Sequence, residues 1–140
     1  MEGAKKVFEA QDENAILSEK HTPWTIDNLI YLDLELWDTI VEFVRTFSEY
    51  AAEDLEKFGT SEFTEDVANY ETENLIRFRN ILLFCLEHIK KDLDNLHIVM
   101  NKLELINPLI DEEYVRVCQA LLTLVDMCIE RNIFYYAWTE

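Results

Sequence analysis

Cys85, His88 and Asp92 are separated by three and four residues, so a helix would turn all three side chains to one face, where they could hold a metal ion. Cys85 also belongs to an apolar stripe, however, and no second Cys/His pair completes a tetrahedral set. Asp94-Asn-Leu-His97 approximates the Glu-x-x-His pairs of di-metal bundles, but it occurs once and with Asp in place of Glu. The stretch from Asp92 opens like an EF-hand loop with Asp92 and Asp94. Leu96 then takes the third ligand position, His97 the place of the turn glycine, and Leu103 the place of the bidentate Glu. Arg79 and His88 stand nine residues apart with leucines between them, which is a poor nuclease pair. The cysteines lie in apolar company, no glycine-rich elbow surrounds a serine, and Gly3 and Gly59 are too few for a phosphate loop. The expectation is a protein that is not an enzyme and uses no metal and no cofactor.

Carboxylates carry a different kind of chemistry. Between Glu49 and Asn74 nine acids face one cation, Lys57. Glu35, Glu42, Glu49 and Glu56 recur every seven residues, which on one helix is a line with steps of about 10.5 Å. Asp38 and Glu53 flank that line, and Glu62, Glu65 and Asp66 follow directly after Gly59. Of the net charge of −17, residues 23–74 hold −12, from fourteen acids and two bases. The flanking 1–22, 75–107 and 108–140 hold −2, +1 and −4. An acidic face of this kind repels nucleic acid and lipid headgroups and attracts basic proteins. Its plain role is to keep the protein in solution. Its sharper role is to imitate nucleic-acid phosphates and fill a Lys/Arg channel, with an affinity that falls as salt rises.

The segment RNIFYYAWTE places Phe134, Tyr135, Tyr136 and Trp138 within five residues. Aromatic side chains are favoured interface anchors, so this end is read as a surface for a docked partner or a homodimer, or else as a last turn that wraps across the bundle and covers its open end. Lys90, Lys91 and Lys102 are too sparse to bind nucleic acid.

These residues need elements to position them. Apolar residues make up 49% of 140 residues, enough for the core of one domain over 1–140. Two glycines and two prolines leave few turn signals, so the fold class expected is all-α: an antiparallel bundle of three long helices. The first spans about 23–58, from Thr22-Pro23 to Gly59, and carries Ile30, Trp37, Ile40, Val44, Phe47, Ala51, Leu55 and Phe58 at helical spacing. NLIYLDLELW within it alternates as a strand would, and the length of the helical pattern outweighs that. The second starts near Ser61 or Thr64, with a kink in ANYETEN, and ends at INP. Its stripe is Leu75, Phe78, Leu82, Cys85, Ile89, Leu93, Leu96, Met100 and Leu103. The third begins after Pro108 or at Asp111, buries Tyr114, Val117, Cys118, Leu121, Leu124, Val125 and Cys128, and runs nearly to the last residue. Residues 1–22 hold a short fourth helix over 4–17 or stay partly flexible.

No apolar run is long enough for a membrane span or a secretory signal, and three cysteines among aliphatic residues read as reduced thiols. The expected location is the cytoplasm, including a host cytoplasm if the source is viral. In type, a small, acidic, helical, motif-free chain is similar to phage-encoded inhibitors of host defence nucleases and to immunity proteins. That likeness is one of composition, implies an inhibitory or anti-defence role, and carries no site residues. The function expected is a non-enzymatic interaction or inhibitor protein acting as a nucleic-acid mimic. The alternative is a structural subunit that assembles through its helices and aromatic end.

Overall fold

The structure, a computed structural model, describes residues 4–12, 25–60, 72–105 and 111–140. Among them the chain forms β1 (Lys5–Ala10), β2 (Thr25–Ile26), β3 (Leu29–Asp33), α1 (Leu34–Arg45), α2 (Glu49–Phe58), α3 (Thr72–Lys91), α4 (Leu93–Leu103), α5 (Asp111–Arg131) and β4 (Tyr135–Thr139). The all-α helical bundle is therefore overturned. An antiparallel sheet ordered β2-β3-β1-β4 accompanies the helices.

The sheet comes from three segments expected to be helical. Lys5–Ala10 is its second central strand rather than a short helix, paired with β3 on one side and β4 on the other. Phe8 lies between Ile30 and Ala137, and all three side chains are fully buried on the face that meets the helices. Val7 lies between Tyr31 and Trp138 on the opposite face. The alternation in NLIYLDLELW is real over its first half, where Ile30 and Leu32 point inward, and Leu34 already opens α1. The aromatic end is β4, not the last turns of a helix.

Glycine scarcity misled because other residues take the left-handed positions. Asp27 (φ 52°) makes the tight turn between β2 and β3, Glu104 (φ 52°) closes α4 and Asn132 (φ 54°) closes α5. Asp and Asn tolerate this conformation better than most side chains, since their short polar groups bond locally. After Asn132, the amide of Ile133 donates to the carbonyl of Cys128, the six-to-one bond that caps a helix and releases the chain into β4.

Two long helices are also cut. Ser48, extended at φ −155°, accepts a bond from the Ala51 amide and so starts α2 afresh after α1. At Asp92 the break follows the charges: Lys90 and Lys91 close α3, while Asp94 opens α4, each suited to its end of the helix dipole. The apolar stripes hold within each helix and fail at these breaks. Phe47 and Leu93, both assigned to a buried face, are 41% and 37% exposed. The expected helix starts at Thr22, Ser61 or Thr64 and the stop at INP lie outside the described residues, as does all of the expected kink in 68–74 except 72–74, which form the first residues of α3.

Aromatic rings tie sheet and helices together. Phe78 of α3 stacks on Phe58 of α2 at 4.7 Å and meets Trp37 and Tyr135 edge-on at 6.5 and 5.6 Å. Trp37 in turn meets Phe8 at 5.1 Å. The Tyr135 hydroxyl donates to the Phe58 carbonyl, and Lys6 Nζ donates to the carbonyl of Gly59 at 2.6 Å. The end of α2 is thus pinned to both β4 and β1. Helices α3 and α5 run antiparallel, joined through their polar rims by Arg79 and Asp126 at 2.6 Å.

Candidate functional site

The side chains weighed for metal chemistry point to separate places. Cys85 is fully buried against Cys118, contact with Cys85 and burial together pushing the Cys118 thiol well above its ordinary value. His88 stacks on Phe84 at 4.1 Å. His97 pairs with Asp111 at 2.8 Å, and Arg79 with Asp126. Among the described residues no three His, Cys, Asp or Glu side chains are placed to share a metal. Cys128 is buried as well, which pushes its thiol up to about 12 and keeps it protonated.

The carboxylates are brought together, though not as a line. Because α1 and α2 are separate helices folded against each other, the seven-residue repeat does not run along one axis. Instead the hairpin wraps its acids around Arg45. That guanidinium donates to Glu42 at 2.8 Å and Glu49 at 2.6 Å, and also to Glu56, eleven residues on. Donation to Glu49 and Glu42 raises the Arg45 pKa, burial opposes it, and the bond to Glu56 adds to the rise. The fold makes Arg45, one of the two bases among residues 23–74, the hub of these acids.

Beside this cluster lies a pocket of about 400 Å³ lined by Lys6, Trp37, Asp38, Glu42, Glu56 and the aliphatic Leu34, Val41 and Leu103. Asp38 lines it with its side chain exposed to solvent, yet close enough to the surrounding protein to be partly desolvated. That partial burial pushes its carboxyl above the ordinary value, Lys6 draws it down, and Glu42 and Glu56 push it further up. Lys6 itself is buried, donating to the Gly59 carbonyl and to Thr139 Oγ1, each at 2.6 Å. Its part in this surface was invisible while residues 4–17 were read as a helix, since only a central strand carries it beneath α1.

Glu53 is exposed on the outer side of α2, and Glu35 is half-buried at the start of α1. Glu62, Glu65 and Asp66 lie outside the described residues. Helices α1 and α2 carry seven acids against Arg45 and Lys57. Asp54 is the one acid of these turned inward, buried and paired with Arg77 of α3 at 2.6 Å.

The aromatic end divides. Tyr135 is wholly buried, and burial followed by the nearby Cys128 raises its hydroxyl well above its ordinary value. Tyr136 and Trp138 lie half-buried on the outer face of the sheet, 5.6 Å apart, and Phe134 is 53% exposed. They are not a single anchor. The exposed aromatic side chains that sequence spacing missed are Phe47 and Tyr50, beside the acids at the α1–α2 corner.

The chain matches no protein-family model, no curated protein and no solved structure. Among the described residues no helix is long and apolar enough to cross a membrane.

Proposed function

We propose that this chain is a non-enzymatic binding protein that docks through the acidic α1–α2 hairpin onto a basic surface of a partner protein. The partner's surface is of the kind that otherwise holds nucleic-acid phosphates, so that docking inhibits it. One observation carries this reading: three carboxylates converge on a single guanidinium, with Asp38 and Glu53 beside them, so the hairpin keeps a local negative excess. A rigid, incompletely neutralised array of this kind attracts a basic surface and strengthens the encounter at low salt. Three buried, free cysteines fit a cytoplasmic site of action.

The test begins with partners captured at low salt, whose affinity is then measured against salt and against competing duplex DNA. The reading expects log affinity to fall roughly linearly with log salt. It expects competition by DNA, and a loss of about tenfold or more in the triple variant Asp38→Asn, Glu49→Gln, Glu53→Gln. Binding that ignores both salt and the variant refutes acidic docking. Binding that follows salt but coexists with DNA refutes mimicry alone.

A further inference from the structure

The α1–α2 corner holds more than charge. Tyr50 is 78% exposed, the most of any large apolar or aromatic side chain among the described residues, and Phe47 is 41% exposed three residues before it, in the turn that joins α1 to α2. Phe47 is held in place: its ring meets Phe43 at 5.3 Å and Phe84 at 5.2 Å, both edge-on, and lies 5.4 Å from His88. Asn95 donates to Thr46 Oγ1 at 2.5 Å, tying the same corner to α4. An aromatic side chain immobilised this way loses little further freedom on binding. Tyr50 is followed on its own face of α2 by Glu53, also exposed, and flanked by Glu49.

Resting on the acidic-docking reading, we propose that Phe47 and Tyr50 are the apolar anchor of that surface. They receive an apolar side chain carried between Lys or Arg residues on a partner segment, such as the face of a basic amphipathic helix. Charge complementarity selects this occupant. The acids beside the two rings favour basic residues on the partner and oppose an acidic or phosphorylated one. A purely polar basic segment would leave the two rings in water. Aromatic side chains in such a position are where binding energy concentrates, while the surrounding charges steer and orient.

Two dye-labelled 14-residue peptides provide the test, one patterning Leu and Lys as an amphipathic helix, the other replacing each Leu with Ser at equal charge. Fluorescence anisotropy should show the Leu/Lys peptide binding about tenfold or more tightly to the intact protein. Tyr50→Ser should remove most of that preference and leave Ser/Lys binding unchanged. Phe47→Ser, checked for folding by circular dichroism, should remove the rest. Ile98→Ser, a change at a 63% exposed residue of α4, should alter neither. Equal binding of both peptides, or a preference that survives Tyr50→Ser and Phe47→Ser, overturns the anchor while leaving acidic docking in place. Binding of neither peptide at low salt overturns the anchor together with the docking on which it rests.

Discussion

Arg45 holds Glu42, Glu49 and Glu56 with one guanidinium, so its removal does two things at once. It deletes three charge-assisted bonds and leaves three carboxylates facing one another. Exposed pairs each contribute only about 0.2–1 kcal/mol, so Arg45→Gln should cost about 1–2 kcal/mol in chemical denaturation. The loss should shrink in about 0.5 M salt, where the repulsion is screened; an unchanged loss would mean that packing of the arginine stem dominates. Reversing Glu42, Glu49 and Glu56 to Lys would surround Arg45 with cations, which is why neutral replacements at Asp38, Glu49 and Glu53 are the sounder probe of docking. Asp38 gives the pH test. Its carboxyl titrates above the ordinary aspartate value of 3.8 in the folded protein. The folded state therefore holds that proton more firmly than the unfolded chain, and ionisation costs stability once pH passes the raised value. Asp38→Asn should melt at a higher temperature than the parent at pH 7, with the advantage disappearing below the ordinary value. An equal gain at both ends of that range would assign the effect to something other than ionisation.

At the scale of elements, the helical stripes were legible and their interruptions were not. Leu82 and Leu121 are fully buried as their spacing implied, and Leu82→Ala should cost about 2–5 kcal/mol in denaturant unfolding. Less than about 0.5 kcal/mol would contradict that burial. Periodicity cannot see a break across which the apolar spacing of the sequence continues, as it does through Val44, Phe47 and Ala51 although the helix stops between them. The signals that could have found it are capping signals: Ser48 before Glu49, and Lys90-Lys91 before Asp92 and Asp94. The strands were hidden differently. β1 is six residues with Lys6, Val7 and Phe8 buried in succession, so it shows no clean alternation of polar and apolar positions. The acidic cluster was legible as composition, while its geometry depended on a hairpin that local pattern did not reveal. Gly59 shows how tightly that hairpin is seated. Its φ of −81° suits any residue, but an added Cβ would sit 2.7 Å from Trp37 Nε1. Gly59→Ala should therefore destabilise by about 1–3 kcal/mol through displacement of the indole, seen as a lower melting temperature with changed tryptophan fluorescence. A neutral result would mean that the indole moves freely.

The whole molecule is organised around a strand whose two neighbours come from opposite ends of the described chain. β3 reaches β1 early, but β4 reaches it last, and Lys6 bonds to Thr139 across 133 residues. Tyr135 and Ala137 are fully buried parts of the core, so a chain ending at Ile133 should lose its cooperative thermal transition. A sharp, near-native melt without β4 would show that the helices suffice. The same pairing sets a clock during synthesis. At about 5–20 residues per second, roughly 7–27 s separate the making of Lys6 from that of Thr139. Throughout that interval one edge of β1 has no partner of its own, and an open edge is a template for another nascent chain. Fast translation shortens the exposure and slow translation prolongs it. The yield of folded protein should then follow the speed of the ribosome between Lys6 and Thr139, independently of how stable the finished chain becomes.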